Sequence, residues 1–283
     1  MNSIVVVVEA FKSPIIKKCI PAVVKHTPNR IPIFLMDQSN PKMTDIKAMF
    51  KETIAPFGDR VQYVEYFTGD RISFAPLGLV QFLLDRPEIQ RVIKIDDDAI
   101  CGSDYFEGLI QGYDSKPNTL LSVAASPIQI WGLHLFKERC GITVDDRLLN
   151  PEIMLDTIVH NPQLATDIWR QTIPPEKILP IMRRGERHLE VPLFRKEIDS
   201  RIPCERADFI VHHYFAARND VLEFCSDLNG INKSDEINYQ RCRQKTGRPI
   251  IMDTWNLIYH FSGAPWFGHA INNEWNMIKD VEF

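Results

Sequence analysis

Five consecutive β-branched residues, Ile4 to Val8, set the plan of this chain. A run with no polar alternation buries both faces, the mark of a strand inside a parallel sheet that helices cover on each side. The chain beyond it keeps to that plan. Ser13-Pro14 reads as a helix start, with Ser as N-cap, and Ile15, Ile16, Cys19, Ile20 and Val23 recur at helical spacing behind it. A second strand over Ile31–Met36 ends in the polar loop Asp37-Gln38-Ser39-Asn40-Pro41, and Met43–Ile54 is a helix. Val61–Phe67 is a third strand and Ala75–Leu84 a third helix. Arg91–Ile95 is a fourth strand that runs straight into Asp96-Asp97-Asp98; a helix from Ser103 to about Tyr113 and a strand over Thr119–Ala125 come next. Such alternation predicts a doubly wound α/β sheet with right-handed crossovers, in which ligands bind beyond the carboxyl ends of the strands. Asp37 and the three aspartates stand at such ends.

Past residue 126 the rhythm breaks. Residues 127–206 are rich in proline, their periodic parts read as helical, and Arg183-Arg184-Gly185-Glu186-Arg187-His188 reads as a solvated, mixed-charge surface. From residue 207 apolar runs return: Phe209–Ala217, a helix from Val221, a charged helix near Ser234–Lys245, and Pro249–Ile258. The chain therefore divides into residues 1–126, a helical insert over 127–206, and a closing region over 207–283, all within one domain.

Composition narrows the partners. With 283 residues and 45% hydrophobic content the chain can bury a proper core. Lys and Arg number 33 against 37 Asp and Glu, a formal charge of −4, so there is little field to hold a nucleic-acid backbone and no nucleic-acid partner is expected. Six scattered cysteines without a CxxC pair read as reduced thiols, which implies a cytoplasmic location. No basic stretch precedes Ile4–Val8, and no run approaches the ~20 apolar residues of a membrane span, so no transmembrane segment is expected.

Three adjacent carboxylates at the end of an apolar strand repel one another, the more so in a partly dry cleft. A divalent cation removes that cost, and oxygen ligands suit Mg²⁺ or Mn²⁺. Side chains alternate along extended backbone, so Asp96 and Asp98 face one way and Asp97 the other. A solvated acidic turn capping the next helix is the alternative meaning of the same residues.

The segment Val92-Ile93-Lys94-Ile95-Asp96-Asp97-Asp98-Ala99-Ile100 resembles the DxD motif of GT-A glycosyltransferases, and Ser103-Asp104-Tyr105-Phe106 is similar to the segment after that motif in several members. Asp37-Gln38-Ser39 resembles the D-x-S loop of glycosyltransferase family 2. The stretch Asp235-Glu236-Ile237-Asn238-Tyr239-Gln240-Arg241, with Tyr214–Leu222 upstream, is similar to that family's acidic segment and the strand and helix before it. The resemblance covers roughly residues 3–126 and 207–263. It implies a GT-A, Rossmann-like, mostly parallel sheet sandwiched by helices, with the closing region on the acceptor side. The implied activity is metal-dependent transfer of a sugar from a nucleotide-diphosphate sugar, a UDP-sugar in the first instance, to the hydroxyl of a glycan or other acceptor. In that reading Val8, Glu9, Ala10 and Asp37 meet the nucleotide, Arg71 the diphosphate, and Asp96 and Asp97 the ribose or sugar. Asp98, Asp96 and His260 hold Mn²⁺ or Mg²⁺, and Glu236, or Asp235 beside it, takes the acceptor's proton. Plainer meanings stand beside these roles. Asp37 caps its own turn, Arg71 pairs with Asp70, and Asp235-Glu236 completes a helix start. His260 is placed in a loop after a strand, and the pair His212-His213 on strand faces, one buried and one out. Trp255, Tyr259, Trp266, Phe267 and Trp275 pack a core or form a sugar platform. A catalytically silent nucleotide- or glycan-binding relative, and a phosphatase using Asp96 and Asp98, are the competing functions.

Overall fold

The computed structural model describes residues 3–69, 75–103, 105–125, 195–197, 213–226 and 245–260, together with residues 239, 242, 275, 276 and 278–280. Their core is a mixed nine-stranded sheet flanked by helices. Its first half is the expected alternation: β1 (Ile4–Ala10), α1 (Ile16–His26), β2 (Ile33–Asp37), α2 (Thr44–Ile54), β3 (Val61–Glu65), α3 (Ala75–Leu84) and β4 (Arg91–Asp96). The second half holds β5 (Ala99–Cys101), α4 (Tyr105–Asp114), β6 (Leu121–Ala125), β7 (Arg195–Glu197), β8 (Tyr214–Ala217), α5 (Arg218–Ser226) and the long β9 (Ile250–His260).

The spatial order is β3-β2-β1-β4-β8-β6-β9-β5, with β7 paired to β9. β3, β2, β1 and β4 run parallel, and β8 enters antiparallel between β4 and β6. The chain winds outward from β1 through β2 to β3, then crosses back to put β4 on the other side of β1. Right-handed crossovers therefore place α1 and α2 on one face and α3 on the other. Packing agrees, since α1 meets α2 and α3 meets α5. The reversal falls at the carboxyl ends of β1 and β4, the switch point where open α/β sheets bind ligands. The α/β class expected from the sequence is present.

Val5 to Val8 are buried as the unbroken apolar run required, and Val92, Ile93 and Ile95 beside them are fully so. Several local expectations are corrected. Regular α1 starts later than the Ser13-Pro14 start, at Ile16, but Ser13 still accepts the Ile15 N–H through its hydroxyl at 3.2 Å and the Ile16 N–H through its carbonyl at 3.3 Å, as a capping residue does. The helix read from Val221 begins three residues earlier, at Arg218. Within the segment expected to be helical, Arg195–Glu197 is a strand that pairs with β9. Gly78 in α3 has a packing reason: a Cβ there would lie 2.5 Å from Gln38 Nε2, so its absence lets α3 close over the end of β2.

Candidate metal centre

The tip of β4 is fixed from two sides. The Asp97 N–H donates to Glu9 O at 2.9 Å, extending the β1/β4 ladder by one bond beyond Asp96. The Asp97 carboxylate then turns toward the β1–α1 loop, where Oδ2 accepts the N–H groups of Phe11 (2.9 Å), Lys12 (3.3 Å) and Ser13 (3.0 Å). Burial, and next the charge of Asp98, push the Asp97 carboxyl up to about 8, against the pull of the Phe11 and Ser13 amides. Asp97 is thus an anchor for the β1–α1 loop, and its Oδ2 is committed to backbone.

Asp96 and Asp98 face the opposite way, as the alternation of extended backbone predicts. There they meet His260, the last residue of β9. His260 Nε2 lies 2.9 Å from Asp98 Oδ1 and 3.6 Å from Asp96 Oδ2. The expectation of a loop histidine is corrected: His260 is a strand residue, delivered because β9 pairs antiparallel with β5 and sets His260 opposite Ala99. The short β5 arises directly from the turn of the aspartates, so the acidic tip and its histidine share one ladder.

A second histidine joins them. His213, immediately before β8, is buried; its Nδ1 accepts the Asp96 N–H at 3.4 Å, and its ring stands edge-on to His260 with centroids 4.5 Å apart. Asp96, His213 and His260 can bring one ligand atom each within 4.8 Å of one another. The pair was expected on strand faces; His213 is buried but stands just before β8 rather than on it, and His212 lies outside the described residues.

The fit to a divalent ion rests on these distances. Metal–ligand bonds of about 2.1 Å at right angles put neighbouring donor atoms about 3 Å apart, and wider angles put them further. The 2.9 and 3.6 Å separations on His260 Nε2 fall in that range. Two carboxylates with imidazole nitrogen are a donor set for Mn²⁺ and its neighbours in the first transition row.

Behind Asp96 lies a buried ion chain that the sequence reading did not anticipate. Lys94 Nζ is 2.7 Å from Asp96 Oδ1 and 3.3 Å from Glu9 Oε2, with the Tyr214 ring centroid 6.0 Å away. The signal was present in the sequence. A lysine in the strand Val92-Ile93-Lys94-Ile95 must find carboxylates once buried, and Asp96 stands two residues on, upon the same face.

The other acidic strand end has a different environment. Asp37 is fully buried; Oδ1 accepts the Ser39 N–H at 2.7 Å, and Oδ2 takes Lys47 Nζ at 3.1 Å and the Tyr63 hydroxyl. That is the turn-capping alternative, reinforced by an ion pair. Val8 and Ala10 are buried in the strand, and Glu9 faces Lys94. Tyr259 is in the core, and Trp275 is partly buried against it beneath Lys17. Arg71, Asp235, Glu236, Trp266, Phe267 and the stretch from Arg183 to His188 lie outside the described residues. Among the described residues, no helix is long and apolar enough to cross a membrane.

No protein-family model matches the chain, and no curated protein matches it in sequence. Among solved structures, the chain is similar to glucosyl-3-phosphoglycerate synthase from Mycobacterium tuberculosis, determined in complex with Mn²⁺, uridine diphosphate and phosphoglyceric acid. The likeness has a TM-score of 0.45 at 12% identity and spans 88% of this chain and 67% of that one. At that level it carries no functional weight for this chain.

Proposed function

We propose that the chain is a divalent-metal-dependent glycosyltransferase that moves a sugar from a nucleotide-diphosphate sugar to a hydroxyl acceptor. One observation carries the reading: Asp96, Asp98 and His260 converge at the β1/β4 switch point with donor separations suited to one ion. A turn serving only to cap a helix has no need of a histidine brought from the far end of the sheet.

In this proposal Asp98, Asp96 and His260 hold Mn²⁺ or Mg²⁺, and the ion, when bound, offsets the negative charge that collects on the departing diphosphate. The remaining work belongs to the chain. Asp97 ties the β1–α1 loop to the acidic tip, so the loop that would line the nucleotide and the residues that hold the ion keep a fixed relation. His213, accepting the Asp96 N–H, fixes the backbone from which both ligating aspartates project. Glu236, with Asp235 as its neighbour, is proposed to take the proton of the acceptor hydroxyl, a role worth ~10²–10⁴-fold in rate. The Lys47 and Tyr63 partners of Asp37 favour a supporting role for it beneath the nucleotide subsite.

The test is incubation of the purified chain with UDP-, GDP- and CMP-sugars, with and without Mn²⁺. Slow, Mn²⁺-dependent release of the nucleotide from one class of donor is expected, and it should vanish in Asp98→Asn. Binding without turnover in every case would instead identify a silent relative, and phosphate release from phosphomonoesters would identify a phosphatase.

A further inference from the structure

We propose that Lys94 is a built-in counter-cation of the acidic tip, which holds down the affinity of the tip for a divalent ion. The inference rests on the metal-site reading above. Its ground is geometric. Lys94 is 4% exposed, on a central strand, and its ammonium sits between Asp96 Oδ1 at 2.7 Å and Glu9 Oε2 at 3.3 Å. The β1/β4 register sets Glu9 beside Asp96, and Lys94 precedes Asp96 by two residues, so all three side chains project from one face. The other oxygen of Asp96, Oδ2, is the one directed at His260, 3.6 Å away. A single carboxylate is therefore shared between an internal cation on one edge and the metal side on the other.

Charge gives the consequence. On the side that faces the ion, Glu9, Asp96 and Asp98, less the one ammonium, leave two negative charges, the complement of one divalent ion, while Asp97 is turned away into the amides of the β1–α1 loop. Without the lysine the tip would carry an unshielded surplus, and an ion would bind it more tightly. With it, the protein's own grip is tempered, and a diphosphate's oxygens supply the rest of what the ion requires.

The experiment is a titration of Mn²⁺ into the chelator-treated full chain, with bound ion read from the loss of the free-ion paramagnetic resonance signal. Lys94→Met keeps the length of the side chain and removes its charge. It is expected to bind Mn²⁺ at least about tenfold more tightly than the natural chain, because a like charge a few ångströms from the ion has been removed at an effective dielectric near 20. The sign is decisive, since damage to the site loosens an ion and only loss of a competing charge tightens it. Unchanged or weaker Mn²⁺ binding by folded Lys94→Met overturns the inference. Should that variant not fold, the double variant Glu9→Gln with Lys94→Met removes the pair as a unit and restores the formal charge. It is expected to bind within about threefold of the natural chain and more tightly than Glu9→Gln alone, and any other result overturns the inference. A natural chain that binds no Mn²⁺ at all removes the metal reading and this inference with it, whereas normal binding that Lys94→Met leaves unaltered removes this inference alone.

Discussion

Two strand ends of the same sheet carry buried carboxylates, and they have opposite chemistry. At the end of β2 the oxygens of Asp37 are taken by a backbone N–H, an ammonium and a phenol, all within the β2–α2–β3 unit. At the end of β4 Asp97 is quenched by the amides of the β1–α1 loop, and Asp96 is half met, through one oxygen, by Lys94. Asp96 and Asp98 turn instead toward a histidine brought from the far end of β9. An acidic residue after an apolar strand is therefore not a site in itself. What decides is whether the local unit brings enough donors: β2 and its neighbours occupy both oxygens of Asp37, while β4 supplies only Lys94, which takes one oxygen of Asp96 and leaves its other oxygen and Asp98 facing His260.

The largest expected effect falls on the quenched end. Removing one partner of a buried, hydrogen-bonded ion pair strands the other, at a cost of about 3–5 kcal/mol. Asp37→Ala should therefore lose roughly that much in urea unfolding, because it takes the acceptor from the buried Ser39 N–H and from the Tyr63 hydroxyl and leaves Lys47 with Glu65 alone. Its Mn²⁺ response should survive. If Mn²⁺ no longer stabilises a folded Asp37→Ala, the two ends are coupled and the contrast between them is mistaken.

Next comes the mirror experiment at β4. Mn²⁺ at a hundred times its dissociation constant should stabilise the natural chain by ~2.7 kcal/mol, seen as a melting point higher by several degrees. Asp98→Asn should abolish that rise while changing the metal-free melt little, since the buried carboxylate it replaces repels its neighbours. A rise that persists would show that the ion sits elsewhere.

The anchor between these extremes should respond to pH. The Asp97 carboxyl is held up to about 8 in the folded chain, chiefly by burial and then by Asp98, against an ordinary value of 3.8. A raised carboxyl means that the folded state binds the proton more tightly, so its stabilising contribution is complete below about 4 and is lost as pH rises toward 8. Metal-free melts across that window should decline with pH, and less steeply in Asp97→Asn, whose amide oxygen still accepts from Phe11 and Ser13. Equal slopes would mean that Asp97 is ionised throughout, held so by its three amides.

How much of this was legible in the sequence differs between the same two regions. β1 was readable because an unbroken apolar run leaves a chain one choice, β4 because Val92, Ile93 and Ile95 keep it apolar around Lys94, and α3 matched residue for residue because its ten residues end at clear breaks. The opposed facing of Asp97 and its neighbours came from the period of extended backbone alone. β5 was missed because three residues after a turn carry no pattern; that strand exists only through pairing with β9. For the same reason His260 was assigned to a loop, and His213 was not connected with Asp96, since a contact spanning 117 residues leaves no local trace. Lys94 was the one readable signal left unread, a charge where its strand allowed none without partners.

The smallest expected effect tests how the β2 end shares its cation. Lys47 Nζ bonds Asp37 at 3.1 Å and Glu65 at 2.8 Å, yet Asp37 is fully buried and Glu65 is about half exposed. The shorter contact should be the weaker one in energy, because water screens Glu65 and an exposed pair is worth about 0–1 kcal/mol. Burial alone would lower the Lys47 ammonium, but its hydrogen bonds to Glu65 and Asp37 outweigh that and raise it above 10.5. A raised lysine stabilises the fold at every pH below its ordinary range and loses that contribution only in strong alkali. Near neutrality, then, a double-mutant cycle between Lys47→Met and Asp37→Asn should return a coupling of about 1–2 kcal/mol, and the cycle with Glu65→Gln about half a kcal/mol or less. The reverse ranking would show that proximity rather than desolvation governs this cluster. The buried carboxylate of β2 would then be less firmly quenched than its geometry implies, and more like the pair at β4.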